Sequence, residues 1–251
     1  MTETASLSLR NRMQDLRDLQ KFCLTYEHAI QYVDTPGSLY RVQRTNYTSR
    51  RASTFIYTFF VFNNLYSIDW QASLASPDKE PDEADGREQE KFWKMMMVCY
   101  QNTALNAPSR YSQHLVDFCE RFGFSNPLSK LKGIRSEQNA ELENKLQKQY
   151  TERQKPGKGK ELTMQSIADF KESFKALYRY GKGAAVSLAD HQLHLNNILY
   201  FIYCVRCNVF HGDKGVAVAH IQRSQDERLL IYSAALLAAN QLILDHAKQV
   251  I

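Results

Sequence analysis

The chain has 251 residues, with 32 Lys and Arg against 27 Asp and Glu. A formal net charge of +5 permits a polyanionic partner without demanding one, and the length suffices for one large domain with a sizeable core. Only ten Gly and six Pro interrupt it, which argues against a turn-rich fold and for long helices with few connections.

From Arg12 to Val33, Leu16, Leu19, Phe22, Cys23, Tyr26, Ala29, Ile30 and Val33 recur at helical spacing. Asp34-Thr35-Pro36-Gly37 should end that helix. A second helix is expected over Arg50–Ala72, apolar nearly all round and suited to the middle of a bundle. The most apolar stretch of the chain, Ser53–Trp70, carries Asn63, Asn64 and Asp69 and is too polar for a membrane span. Residues 76–86 form an acidic loop, part of a run from Asp78 to Glu90 with seven acids against Lys79 and Arg87. Helices should follow over Arg87–Leu105, closed by Asn106-Ala107-Pro108, and over Ser109–Phe122, ended by Gly123. Residues 130–160 differ in composition, with nine Lys and Arg against four Glu and few large apolar residues. They read as a basic insertion or mobile arm within one helical domain spanning 1–251.

Leu162–Tyr180 is amphipathic again and ends at Gly181-Lys182-Gly183. A long helix is expected from Ser187, with Asp190 completing a weak capping box, to about Phe210, where Gly212 can serve as a cap. Ser224–Gln249 makes the last helix, and Ala234, Ala235, Ala238 and Ala239 let neighbours approach closely. The sequence contains no strand series, no glycine-rich phosphate loop and no internal repeat. Its five cysteines (Cys23, Cys99, Cys119, Cys204, Cys207) are odd in number and follow a polar start without signal-peptide character. A cytoplasmic, membrane-free protein is the expectation.

The segment that bears chemistry is Tyr203-Cys204-Val205-Arg206-Cys207-Asn208-Val209-Phe210-His211-Gly212-Asp213-Lys214. On a regular helix Arg206 and His211 lie about 140° apart, so a shared site needs the helix end to bend or a second copy to complete it. Asn208 and His211 face together. Arg and His at a helix C-terminus also have a purely structural use, satisfying free carbonyls and the helix dipole. Cys204 with Cys207, and His191 with His194, suggest zinc at first sight. All four fall on one predicted helix that spreads them over about 24 Å, too far for ligands that must lie within about 2.3 Å of one ion. No metal or cofactor is therefore expected.

The segment resembles the signature of HEPN domains, in which Arg is followed by four to six residues and His, in one form Arg-Asn-Asn-aliphatic-Phe-His-Gly-x-Lys. Arg206, Asn208, Val209, Phe210, His211, Gly212 and Lys214 match, while Cys207 stands where a polar residue is usual. Phe62-Asn63-Asn64-Leu65-Tyr66 resembles an aromatic-Asn stretch of related chains. The resemblance implies an all-α, HEPN-like bundle and metal-independent cleavage of RNA in a homodimer whose two motifs share a composite cleft. Arg206, His211 and Asn208 would be catalytic, Lys214 would meet the RNA backbone, and Asn63 and Cys207 would support them. Lys155, Lys158 and Lys160 of the basic arm fit RNA binding, since such cations release counterions from phosphates. A toxin or phage-defence setting, with an antitoxin or defence-system partner protein, follows from the resemblance. In some members an antitoxin modifies a Tyr two residues past the His; here that residue is Asp213, so this control is not implied. Two other readings stay open: a non-catalytic module that binds RNA or protein, and a helical scaffold whose arm meets an acidic protein.

Overall fold

A computed structural model describes residues 8–28, 40–101, 107–131, 164–185, 191–210 and 223–251. Within them the chain forms helices α1 (Leu9–His28), α2 (Tyr40–Tyr66), α3 (Trp70–Leu74), α4 (Glu88–Gln101), α5 (Ala107–Arg121), α6 (Pro127–Leu131), α7 (Met164–Gly181), α8 (His191–Phe210) and α9 (Arg223–Val250). No strand occurs among these residues, only an isolated antiparallel bridge between Ile68 and Glu83. The all-α expectation therefore holds for the described chain.

Helix α9 is the axis of the bundle. It packs against α2 on one side and α5 on the other; α7 lies against both α5 and α8, and α1 covers α2. Ala234, Ala235, Ala238 and Ala239 are wholly buried, and their small side chains permit this two-sided contact. By length and composition Glu227–Val250 could cross a membrane, but 89% of that window is buried inside the bundle. It exceeds Ser53–Trp70 as the apolar core segment.

Where α2, α7, α8 and α9 meet, four rings interlock. Phe170 stacks on Phe201 with centroids 4.1 Å apart, and Tyr232 meets both edge-on at 5.5 and 5.4 Å. Phe55 approaches Tyr232 edge-on at 6.5 Å. Offset and edge contacts of this kind each add about 0.5–1.5 kcal/mol beyond the area buried. Burial also pushes the Tyr232 hydroxyl far above its usual pKa, so it stays neutral in this core.

Several expected boundaries move, each for a local reason. The buried face of α1 begins at Leu9 and Met13, and Phe22 is 47% exposed. Residues 29–39, with the expected stop at Asp34–Gly37, lie outside the described residues. The second helix does not run on to Ala72. Ser67 turns back onto the Asn63 carbonyl through its hydroxyl at 2.7 Å, and Asp69 caps α3 by accepting from the Ala72 N–H at 3.1 Å. Trp70 then donates to the Leu65 carbonyl at 2.8 Å, which locks the bend. Ala107 and Pro108 open α5 rather than closing the helix before it, since proline at a first turn loses no hydrogen bond.

The acidic segment 76–86 is pinned at several points: Asp82 accepts from the Asp69 N–H at 2.8 Å, Ala84 donates to Ser67 at 2.8 Å, and Ala84 is buried. The unexpected helix α6 buries Leu131, and Lys130 pairs with Glu227 at 3.0 Å. Residues 130–131 thus belong to the bundle; the rest of the basic segment, 132–160, lies outside the described residues.

One buried histidine sets an acid response. His246, 3% exposed, packs 6.4 Å from the Trp70 ring, and desolvation holds its pKa below the ordinary 6.5. Asp245 beside it accepts from Gln241 at 2.7 Å and pairs with His114 at 3.1 Å, and its pKa lies below 3.8: burial opposes the shift, while the His114 and Gln241 hydrogen bonds and the nearby Arg110 charge outweigh it. Both groups have depressed folded-state values, so the unfolded chain binds their protons first on acidification. The melting temperature is therefore expected to fall in two stages, below about pH 6.5 and again below about pH 4. A His246→Gln variant should lose the first stage only; an unchanged slope between pH 7 and 5 would mean that another group titrates there.

Candidate functional site

Helix α8 carries the motif at its C-terminal end. It is described from His191 to Phe210, and Arg206, Cys207 and Asn208 lie within its last five described residues. Ile202 and Cys204 are completely buried, and Arg206 emerges half-buried one turn past Ile202. The guanidinium carbon of Arg206 stands 5.3 Å from the centre of the Phe59 ring of α2. Phe59 is 1% exposed and is itself held edge-on by Phe62 at 5.9 Å. A cation over an aromatic face gains about 0.5–2 kcal/mol, more as water is removed. Arginine is the side chain whose planar guanidinium can fork onto two oxygens of a phosphate.

A second tie lies one turn back, where the Tyr203 hydroxyl donates to the Glu88 carboxylate at the start of α4. Arg206 and Tyr203 thus tie α8 to two other helices.

Of the expected site residues, Arg206 is brought to α2. Asn63 lies one turn beyond Phe59 on that helix, where its Oδ1 accepts from the Tyr66 hydroxyl. That makes it a local hydrogen-bond node whose helix also reaches Arg206 through Phe59. Asn208 and Cys207 lie on the last turn of α8, but their side chains are not described. His211, Gly212 and Lys214, and Lys155, Lys158 and Lys160 of the arm, lie outside the described residues.

The two histidines that suggested zinc have separate surroundings. His191 is buried edge-on to Tyr180 with centroids 4.5 Å apart, and His194 meets Ser173 through Nδ1 at 3.1 Å. Cys204 is buried and reduced. Among the described residues, no group of three or more His, Cys, Asp or Glu could hold a metal ion.

Phe59 and Glu88 were not legible as site residues. Phe59 read as one more apolar residue of a core helix, and Glu88 as one more acid in a charged run. Only the long-range pairings with Arg206 and Tyr203 distinguish them. Comparison of the chain with protein-family models, with curated proteins and with solved structures gives no match.

Proposed function

We propose that the chain is a metal-independent endoribonuclease of the HEPN type, acting through Arg206 and His211. The supporting observation is a half-buried guanidinium over the Phe59 ring near the C-terminal end of the described α8, within the segment whose sequence matches the motif. The chemistry suits RNA. His211 takes the proton from a 2′-hydroxyl, whose oxygen attacks the adjacent phosphorus. The bond to the 5′-oxygen breaks as that oxygen takes a proton from an imidazolium, leaving a 2′,3′-cyclic phosphate on one fragment and a 5′-hydroxyl on the other. Arg206 neutralises the charge that grows on the phosphate oxygens, and Asn208 orients the imidazole. A second copy would complete the cleft, since Arg206 and His211 diverge by about 140° on a regular helix. RNA is the partner this reading requires, in a cytoplasmic toxin or defence effector that a partner protein restrains.

The test is incubation of the purified protein with total RNA in EDTA beside His211→Ala. Cleavage by the parent alone supports the reading, and RNA left intact by both overturns it. A non-catalytic RNA-binding or protein-interaction module is the second reading, favoured by Cys207 in place of the usual polar residue; binding without cleavage would select it.

Phe59 gives a check on how Arg206 is held. Phe59→Leu removes the ring and should lower cleavage about three- to thirtyfold, mainly in kcat, while Phe59→Tyr keeps the ring and most of the activity. Equal activity in both variants would show that the ring does not position the guanidinium.

A further inference from the structure

We infer that the cleft between α4 and α8 is a nucleobase site, an inference that rests on the RNA reading above and names what the strand presents beside Arg206. The cleft has a volume of about 340 Å³ and is lined by Glu90, Phe92, Trp93, Asn196 and Tyr200. That lies within the range of about 300–1,000 Å³ usual for small-molecule sites.

Its construction is specific. Phe92, 4% exposed, is an apolar lining residue, and Trp93 leaves 40% of its surface open to solvent. An exposed tryptophan beside a half-buried tyrosine from another helix offers π-surface on which a base can stack, with a gain that does not depend on base identity. The Asn196 amide has both donors and an acceptor to match a base edge. Glu90, the charged lining residue, takes the Arg87 N–H on Oε2 at 3.0 Å. Its other oxygen lies 3.8 Å from the Arg87 Nε, and the lining residues include no cation to hold a phosphate, so the cleft suits the base of a nucleotide and not its backbone.

Position agrees with this. Helices α4 and α8 run so that Glu88 meets Tyr203 while Trp93 and Tyr200 share the cleft farther along. Tyr200 precedes Arg206 by six residues, about 9 Å of helix rise. The two also lie about 120° apart around α8, so a strand that reaches both must wrap the helix with a few nucleotides between them. Such a site requires an unpaired base, free to leave the stack.

Trp93 supplies its own signal, because the other tryptophan, Trp70, is buried at 3% exposure. The probe is a short 2′-O-methyl oligoribonucleotide, which cannot be cleaved because the attacking hydroxyl is capped. The control is the same backbone without bases. The base-bearing probe should quench the fluorescence and the abasic one should not. Trp93→Ala should weaken binding about ten- to a hundredfold, while Trp93→Phe, which keeps a ring but not the fluorophore, should bind nearly as well without quenching. Equal affinity for both probes, or unchanged affinity in a folded Trp93→Ala, overturns the inference. Cleavage of unmodified RNA is scored separately. Cleavage without base-dependent quenching would sink the cleft and keep the enzyme; quenching without cleavage would do the reverse.

Discussion

Arg206→Ala and His211→Ala should each lower RNA cleavage by at least about a hundredfold while leaving the bundle folded. The magnitude follows from the two roles. A positioned acid–base group contributes about 10²–10⁴-fold, and a donor aimed at developing charge about 10²–10³-fold. Because both act on one transition state, Arg206→Ala combined with His211→Ala should fall little below the weaker single variant. Arg206→Lys restores the charge but not the planar fork, and should recover little of the activity. The fold should survive, since Arg206 is half-buried at the end of α8 and its contact with Phe59 is one among many that hold that helix. Cleavage gels in EDTA, with thermal melts of the same preparations, measure both quantities. Loss of the folded state in Arg206→Ala would assign the guanidinium a structural role, as a tie between α8 and α2, and remove it from the chemistry.

The helical class was readable because the apolar spacing of the long segments is independent of what they pack against. The core of α9 follows from its alanines and large aliphatic residues. What the sequence left ambiguous was local competition. Asn64, Ser67 and Asp69 all bond nearby backbone groups where α2 ends, yet Ile68 and Trp70 continue its apolar pattern, so the pattern alone overruns the break. The pairings of Arg206 with Phe59 and of Tyr203 with Glu88 join residues more than a hundred positions apart, and no local period encodes them. The motif itself was legible as a pattern, because its spacing lies within one segment; the ring that seats its arginine was not.

Gly181 and Gly183 show the same division, and replacing the first should destabilise the protein through a contact invisible in the sequence. Both read as helix terminators. Gly183 is one by conformation: its φ is +90°, Ala184 donates to the Arg179 carbonyl at 3.0 Å, and a Cβ there would meet nothing within 4 Å. Gly181 belongs to α7 and lies against α5, where an added Cβ would stand 2.3 Å from the Ser112 carbonyl oxygen and 2.8 Å from a Val116 methyl carbon. The carbonyl is helix backbone and cannot swing away as a side chain would. Alanine gains about 1 kcal/mol over glycine inside a helix, but overpacking costs about 1–3 kcal/mol, and contact with fixed backbone puts this case at the upper end. Gly181→Ala should therefore lose about 1–2 kcal/mol net and melt several degrees lower. Asparagine separates the two causes, because it tolerates positive φ but is larger than alanine. Gly183→Asn should be nearly neutral and Gly181→Asn worse than Gly181→Ala. A Gly181→Ala protein that melts above its parent would mean that α5 and α7 do not approach this closely.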